Sequence, residues 1–196
     1  MKLVLASRNR HKLQELKTFL SGLPVEIVTV DDVHPGLTLL EDGATFEENA
    51  LAKARTVFAR TSLTALADDS GLEVFFLNGR PGVHSARYAG LAATDETNNE
   101  KLLRQMRGVA ARRRHAQFRA VLALVGPGFE EIATGVCPGH LSEVPRGTNG
   151  FGYDPIFVPA GMDRTYAELT QEEKNHISHR SRAFAALRAA AERRLT

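Results

Sequence analysis

The sequence predicts a mixed α/β fold in which helices cover a sheet. Strand-like and helix-like stretches alternate at the start of the chain, and a run of strand-like stretches follows. The 196 residues are 43% hydrophobic and 24% charged, which is enough apolar material to bury a core. No stretch has the composition of a flexible linker, so we expect one domain over residues 1–196.

Hydrophobic periodicity and turn residues predict the elements in order. The first half contains strands at residues 2–6, 25–30, 64–67 and 72–77, and helices at residues 11–20 and from Thr45 onward. The second half contains a helix at residues 96–107, strands at 117–125, 131–136 and 140–144, and a helix at 177–195. Helix N-cap signals occur at Thr45, Thr170 and Ser178.

Charge and cysteine content exclude several classes of protein. The 25 Lys and Arg residues nearly balance the 23 Asp and Glu residues, so the charge gives no general case for a nucleic-acid partner. No apolar run is long enough to cross a bilayer or to form a signal peptide. The single Cys137 excludes an internal disulfide and a multi-thiolate zinc site. We expect a soluble cytoplasmic protein that binds neither nucleic acid nor membrane.

Basic residues occupy the start of the first predicted helix, in the segment Ser7-Arg8-Asn9-Arg10-His11-Lys12. Cations there oppose the helix dipole, each at a cost of roughly 0.3–1 kcal/mol. The arrangement favours an anion held by the side chains and by free backbone N–H groups. We therefore expect Lys12→Ala to leave stability unchanged or slightly raised. A solvated basic turn is the alternative.

A second group of cations marks the last helix. If Ser178 is its N-cap, His179 and Arg180 take the first two helical positions, and Lys174 lies on the short helix before it. Two such helix starts in one chain favour a polyanionic ligand. An arginine-rich surface helix is the alternative.

Carboxylates supply the other half of a phosphate site. Asp68 and Asp69 follow an apolar strand, and adjacent acids repel each other unless cations or donors compensate. Carboxylates are ligands that Mg²⁺ prefers, and Glu41 is another possible ligand. Lys53 lies on the apolar stripe of the Thr45 helix, where phosphates and carboxylates would be its partners. The alternatives are a simple turn and a lysine that reaches solvent.

The loop at residues 147–155 is rich in glycine and contains Phe151 and Tyr153. Glycine lets the backbone approach a ligand closely, and an aromatic face can stack on a nucleobase. A turn with two packed aromatics is the alternative.

Together these motifs resemble those of the noncanonical purine nucleoside triphosphate pyrophosphatases, the inosine/xanthosine triphosphatase family. The matching motifs, in order along nearly the whole chain, are Ser7-x-Asn9-x-x-Lys12, Glu41-x-Gly43-x-Thr45-Phe46-x-Glu48-Asn49-Ala50 with Lys53, Ala67-Asp68-Asp69-Ser70-Gly71-Leu72, Pro81-Gly82-Val83-x-Ser85-Ala86-Arg87-Tyr88-Ala89-Gly90, Gly150-Phe151-Gly152-Tyr153-Asp154-Pro155, and Glu173-Lys174 with Ile177-Ser178-His179-Arg180. Each motif is weak alone, but their shared order is specific. The stretch Arg112-Arg113-Arg114-His115 lies outside the pattern, and we expect it to be a solvated loop.

The resemblance implies a long-stranded mixed β-sheet flanked by helices, two lobes with the active-site cleft between them, and a homodimer. It also implies Mg²⁺-dependent hydrolysis of inosine, deoxyinosine and xanthosine triphosphates to the monophosphate and pyrophosphate. This reaction removes deaminated purines from the nucleotide pool.

Carried over residue by residue, the resemblance makes Asp69 the catalytic base. It gives Asp69, Glu41 and Asp68 as metal ligands. It gives as substrate-binding residues Ser7, Arg8, Asn9, Arg10, His11, Lys12, Lys53, Ser70, Phe151, Gly152, Tyr153, Asp154, Lys174, His179 and Arg180. Lys12 and Lys53 would stabilise the departing pyrophosphate.

Base selection has a physical interpretation in this set. Arg180, His179 and the backbone N–H groups of the 151–154 loop are donors, which suit the 6-oxo group of hypoxanthine and not the amino group of adenine. Phe151 or Tyr153 would stack on the ring without selecting it. We therefore expect Arg180→Ala to narrow the preference for inosine triphosphate over ATP.

Two rival functions stay open. One is a nucleic-acid-binding module that uses Arg8, Arg10 and the run Arg112, Arg113 and Arg114, against which the near-neutral charge argues. The other is a phosphotransferase that moves the terminal phosphoryl group. Product identity separates the second rival from a pyrophosphatase.

Overall fold

The structure is a computed structural model that describes residues 1–195. Its strands are β1 (Lys2–Leu5), β2 (Glu26–Thr29), β3 (Thr64–Val74), β4 (His115–Gly126), β5 (Phe129–Leu141) and β6 (Phe157–Pro159). Its α-helices are α1 (Arg10–Phe19), α2 (Val30–Val33), α3 (Phe46–Thr61), α4 (Asp95–Gln105), α5 (Gln171–Ile177) and α6 (His179–Leu195). None of these helices is long and apolar enough to span a membrane.

The six strands form one mixed sheet in the order β2-β1-β3-β4-β5-β6. β1 pairs in parallel with both β2 and β3, with Leu3 opposite Ile27 and Thr64. β6 is antiparallel to β5. The predicted mixed α/β class is confirmed.

The chain divides into two compact units, each assembled from separate stretches. Unit 1 contains Met1–Asp69, Ala120–Gly135 and the residues from Arg180 onward, and unit 2 contains Ser70–Arg119 and Val136–His179. Strands β3, β4 and β5 contribute residues to both. The expected two lobes agree with this division, and a single domain over residues 1–196 stays a prediction.

Each unit has its own apolar core. In unit 1, α1 and α6 bury leucines and a phenylalanine against the strands, including Leu5, Leu16, Leu66, Leu122 and Phe184. In unit 2, α4 and the loop at residues 147–155 bury side chains against β3, β4 and β5. The core includes Leu72, Leu102, Phe118, Tyr153 and Tyr166. These cores hold the strand and helix ends that carry the polar motifs.

The strands predicted at residues 64–67 and 72–77 are one strand, β3, which continues through Asp68-Asp69-Ser70-Gly71 and ends at Val74. The alternative of a simple turn at these residues is therefore wrong. Gly71 is needed because the segment at residues 82–85 packs closely against it, and not because the chain turns there. A Cβ at Gly71 would lie 2.4 Å from the Ser85 Oγ and 2.5 Å from the Gly82 carbonyl oxygen. The two acids therefore sit inside a strand, where the pleat points neighbouring side chains in opposite directions.

Two other predicted boundaries differ from the structure. The strands predicted at residues 131–136 and 140–144 are one strand, β5, in which Gly139 passes close to the backbone of Val158. The helix predicted at residues 177–195 is interrupted because Ser178 is extended, with φ −69° and ψ 157°. The capping boxes that begin at Thr45 and Thr170 are confirmed.

Candidate active site

The start of α1 has the predicted excess of cations and contains no acidic residue in its first turn. Asn9 is the N-cap, and its Oδ1 accepts the N–H groups of His11 and Lys12 at 3.0 and 3.1 Å. The Ser7 Oγ accepts the N–H of Asn9 at 3.2 Å. Two of the backbone donors that the sequence assigned to an anion are therefore already used by Asn9. An anion at this helix start would depend chiefly on side chains.

The cations of this segment have different surroundings. Arg8 donates to the Asp31 carboxylate from Nε at 3.0 Å and from Nη2 at 2.8 Å, and Nη2 also donates to the carbonyl of Leu37. Arg10 and His11 are solvent-exposed on the first turn. Arg8 is thus held by an exposed ion pair.

Asp68 is buried among cations. The Lys12 Nζ lies 2.7 Å and the Arg180 Nε 3.3 Å from its Oδ2. Burial alone would raise the pKa of Asp68, but Lys12 and Arg180 outweigh it and hold that pKa well below its ordinary value. Both contacts are made by Oδ2, and the role of Asp68 as a metal ligand stays a prediction.

Arg180 is 3% exposed at its side chain and joins two acids. Besides Asp68, its Nη1 donates to the Glu15 Oε2 at 2.8 Å. Sequence analysis assigned Arg180 to the nucleobase and did not select Glu15. The signal for Glu15 is weak, because an acid on an amphipathic helix is ordinarily exposed. The geometry makes Arg180 a support for Asp68.

Lys53 has the most interactions of the lysines in unit 1. Its Nζ lies 2.8 Å from the Glu41 Oε1, 2.8 Å from the Asp69 Oδ1 and 2.9 Å from the carbonyl oxygen of Asp68. Burial favours the neutral amine, but Asp69 and Glu41 outweigh burial and raise the pKa of Lys53 above its ordinary value. A protonated lysine therefore bridges two predicted metal ligands.

Asn49 holds the second oxygen of Asp69. Its Nδ2 donates to the Asp69 Oδ2 at 3.3 Å, and its Oδ1 accepts the N–H of Gly43 at 2.8 Å. A Cβ at Gly43 would lie 2.8 Å from the Asn49 Oδ1, so a larger residue there would disturb this contact. Burial raises the pKa of Asp69 despite the attraction of Lys53. Asn49 could be identified from the sequence because it is a polar residue on the apolar stripe of α3.

Glu41 and Asp69 are the predicted metal ligands that lie around one cation, Lys53. Within residues 1–195, no group of three or more His, Cys, Asp or Glu side chains is arranged to hold a metal ion. Mg²⁺ commonly takes one or two carboxylates and completes its shell with water and substrate phosphates. Two carboxylate oxygens that each lie 2.8 Å from one ammonium fit that kind of site.

In unit 2, Asp154 organises the glycine-rich loop. Its Oδ2 accepts the N–H of Phe151 at 3.0 Å and the Lys174 Nζ at 2.7 Å. The Lys174 Nζ also lies 4.8 Å from the centroid of the Phe151 ring. A cavity of about 360 Å³ opens here, lined by Asn149, Gly150, Tyr166, Leu169, Thr170, Gln171 and Lys174. The loop, the cation and the cavity form a candidate nucleobase site.

Tyr153 anchors this loop. Its ring is 3% exposed, and its hydroxyl donates to the carbonyl of Ser85 at 2.8 Å. Burial raises the pKa of this hydroxyl above its ordinary value. The geometry does not support Tyr153 as a stacking face, and Phe151, which is half-buried, is the better candidate.

The remaining predicted residues have these positions. Ser70 follows Asp69 in β3 and is half-buried. His179 is buried, and its ring stacks on Phe118 with centroids 4.7 Å apart. Arg114, expected in a solvated loop, is 4% exposed and donates to the carbonyls of Met106, Leu141 and Ser142, so that expectation is wrong for it.

The mixed sheet, and the lysines of α1 and α3 that pair with Asp68 and Asp69 of β3, define an α/β protein with a buried group of lysines and carboxylates. The chain belongs to the Ham1 family, whose model matches residues 3–190. It is 47% identical over 188 residues to a protein of Thermoanaerobacter pseudethanolicus named dITP/XTP pyrophosphatase, with coverage of 96% of this chain and 95% of that protein. A Mycobacterium tuberculosis protein of the same name is 49% identical over 189 residues, with coverage of 95% and 93%.

Solved structures agree with this assignment. The Staphylococcus aureus Ham1 protein is 40% identical, with a TM-score of 0.90 and coverage of 98% of both chains. A Mycobacterium abscessus structure described as a nucleoside-triphosphatase / dITP/XTP pyrophosphatase is 50% identical, with a TM-score of 0.79 and coverage of 95% of this chain and 97% of that chain. The predictions of family, fold class and pyrophosphatase class are confirmed.

Proposed function

We propose that this chain hydrolyses purine nucleoside triphosphates with deaminated bases (dITP, ITP and XTP) to the monophosphate and pyrophosphate. The observation that carries the proposal is the buried Lys53 ammonium, which contacts Glu41, Asp69 and the Asp68 carbonyl within 2.9 Å. Burying ionised groups costs free energy of desolvation, so such a group indicates a structural or functional role. The names of the relatives support this substrate class.

The proposed cofactor is Mg²⁺, held by Glu41 and Asp69 together with substrate oxygens. When bound, it would neutralise charge on the phosphates and favour attack by water at phosphorus. The carboxylates themselves have a second use. Asp69 is fixed through one oxygen by Lys53 and through the other by Asn49, so it presents a defined acceptor for a proton of the attacking water.

Lys12 and Lys53 would stabilise the negative charge of the departing pyrophosphate. Each is held in place by a carboxylate, Asp68 for Lys12 and Asp69 for Lys53. The three N–H groups of Lys53 are already donated within the chain, so Lys53 would act through its positive charge. Charges fixed before the reaction act on developing charge without a reorganisation cost. The two side chains are therefore the proposed electrostatic catalysts.

The base would be bound by unit 2, through the Phe151 face, Lys174 and His179. An ammonium donates only, so Lys174 suits the 6-oxo group of hypoxanthine or xanthine and opposes the amino group of adenine. Two backbone N–H groups of the loop are not available to the base, because those of Phe151 and Gly152 already donate to Asp154 and Asp95. Lys174 thus takes the base-reading role that was predicted for Arg180 and the loop backbone.

The nucleic-acid alternative has less support. Arg8 is paired with Asp31 and Arg114 is buried, so two of the arginines on which it depends are engaged within the chain. The homodimer stays a prediction from the resemblance, and the cytoplasmic location stays a prediction from the composition of the chain.

The test is to incubate the protein with dITP and Mg²⁺ and to separate the products by chromatography. We expect deoxyinosine monophosphate and pyrophosphate in equal amounts, and no turnover after chelation of the metal. Orthophosphate with the diphosphate, or a phosphorylated acceptor, would identify a phosphotransferase or phosphatase instead.

A further inference from the structure

Both peptide groups of Gly152 are bonded to one helix. The N–H of Gly152 donates to the Asp95 Oδ2 at 2.6 Å, and the Asn99 Nδ2 donates to its carbonyl at 2.8 Å. Asp95 is exposed at the start of α4, whereas Asn99 is buried one turn later. No motif of the sequence analysis includes either residue.

We propose that Asp95 and Asn99 are positioning residues that fix the glycine-rich loop and thereby set the affinity for the nucleoside. The inference rests on the proposed function, because it takes this loop as the part of the chain that binds the base. Neither residue needs to touch the substrate. Each acts through Gly152, which lies between Phe151 and Tyr153 in the chain.

The loop needs such restraint because of its backbone. Gly150 and Gly152 have φ values of +77° and +63°, in a region that glycine enters at little cost and can leave as easily. One hydrogen bond on each side of Gly152 removes that freedom, and the bond that its N–H donates to a carboxylate is the stronger kind. A loop ordered in advance binds its ligand without the entropy cost of ordering.

The same helix also holds the segment that anchors Tyr153. The Asn98 Oδ1 accepts the N–H of Ala89 at 2.7 Å, and its Nδ2 donates to the carbonyl of Ala86 at 3.2 Å. The Ser85 carbonyl in this segment accepts the Tyr153 hydroxyl. The motif at residues 81–90, which had no role in the sequence analysis, therefore belongs to the same support.

Thr94 provides a matched control within α4. It is the N-cap, and its Oγ1 accepts the N–H of Thr97 at 3.3 Å. Thr94→Ala weakens the start of the helix without removing either bond to Gly152. A change that depended only on helix stability would therefore appear in Thr94→Ala as well.

The first readout is steady-state hydrolysis of dITP by Asp95→Ala, Asp95→Asn, Asn99→Asp and Thr94→Ala, with melting temperatures for each. We expect Asp95→Ala and Asn99→Asp to raise KM about tenfold with kcat nearly unchanged, because binding of the base is lost equally in ground and transition states. Asp95→Asn keeps an acceptor for the Gly152 N–H and should recover most of the affinity. Thr94→Ala should lower the melting temperature but leave KM unchanged.

The second readout needs no activity. The chain contains no tryptophan, so Phe151→Trp places a single reporter in the loop. In that background, Asp95→Ala should lower the fluorescence anisotropy of the reporter, and Thr94→Ala should not.

The outcomes separate the two claims. A wild-type protein that does not release pyrophosphate from dITP would end the proposed function, while the reporter would still test the support of the loop. The positioning inference is overturned if Asp95→Ala changes neither KM nor anisotropy, or if Thr94→Ala changes both as strongly.

Discussion

Lys53 and Asp69 form a buried ion pair in which Nζ lies 2.8 Å from Oδ1. The lysine comes from α3 and the aspartate from β3, so the pair depends on how helix and sheet meet. Glu41 contacts the same ammonium, which places both candidate metal ligands around one cation. The account of catalysis depends on this arrangement.

Asp69→Asn should abolish most of the activity and leave the fold intact. The amide keeps the shape but has neither the charge nor the basicity of the carboxylate, so we expect kcat to fall by about 10³-fold or more. Circular dichroism and kcat measured together test this. Glu130→Gln, which removes an exposed partner of Arg55, is the control and should keep normal kcat. Near-normal turnover in folded Asp69→Asn would remove Asp69 from the mechanism.

Lys12→Ala should destabilise the protein, which reverses the expectation from the helix dipole. The substitution leaves Asp68 buried with one cation fewer, and that loss exceeds the gain of roughly 0.3–1 kcal/mol at the helix start. Urea unfolding of the ligand-free protein measures the change. An unchanged or higher free energy of unfolding would show that the Lys12–Asp68 bond contributes nothing.

Arg180→Ala should lower kcat/KM for dITP and for ATP by the same factor. Arg180 is held by Asp68 and Glu15, so its loss disturbs the phosphate end of the site for any triphosphate. Stability should also fall by about 3–5 kcal/mol, because two buried carboxylates lose a partner. If Arg180→Ala does not fold, the same measurement is made on Arg180→Lys, which keeps the charge and should retain activity. A loss of kcat/KM with dITP but not with ATP would show that Arg180 contacts the base instead.

Glu173→Gln should cost stability at neutral pH and not in strong acid. The hydrogen bond from Arg164, with that from the Thr170 N–H, lowers the pKa of Glu173 from 4.5 to about 2. Its stabilisation is therefore complete above pH 4.5 and disappears as the pH falls through about 2. Urea unfolding at a series of pH values should show the two proteins converging over this range. Glu172→Gln, an exposed neighbour, is the control, and a pH-independent difference would contradict the assignment.

Features that depend on neighbouring residues were predictable from the sequence. The capping boxes at Thr45 and Thr170 close within one turn, and the excess of cations at the start of α1 is visible in the segment itself. The continuity of β3 was not predictable, because Gly71 is needed by a contact with Ser85 that lies 14 residues along the chain.

Roles that depend on distant partners were also beyond the sequence. Arg180 has the composition of a ligand-binding residue, yet its partner Glu15 is 165 residues away. Lys12, Asp68 and Lys53 lie together in the structure, but which carboxylate each lysine holds follows from packing. The sequence therefore indicates which charged residues matter, but it does not predict which of them pair.

The most direct test of the central claim is hydrolysis of dITP in ¹⁸O-labelled water, with mass spectrometry of both products. Water activated beside Asp69 should attack the α-phosphorus, so the account predicts label in deoxyinosine monophosphate and none in pyrophosphate. Label in pyrophosphate would show attack at the β-phosphorus, and labelled orthophosphate would show cleavage of the terminal group. Either result would contradict the mechanism.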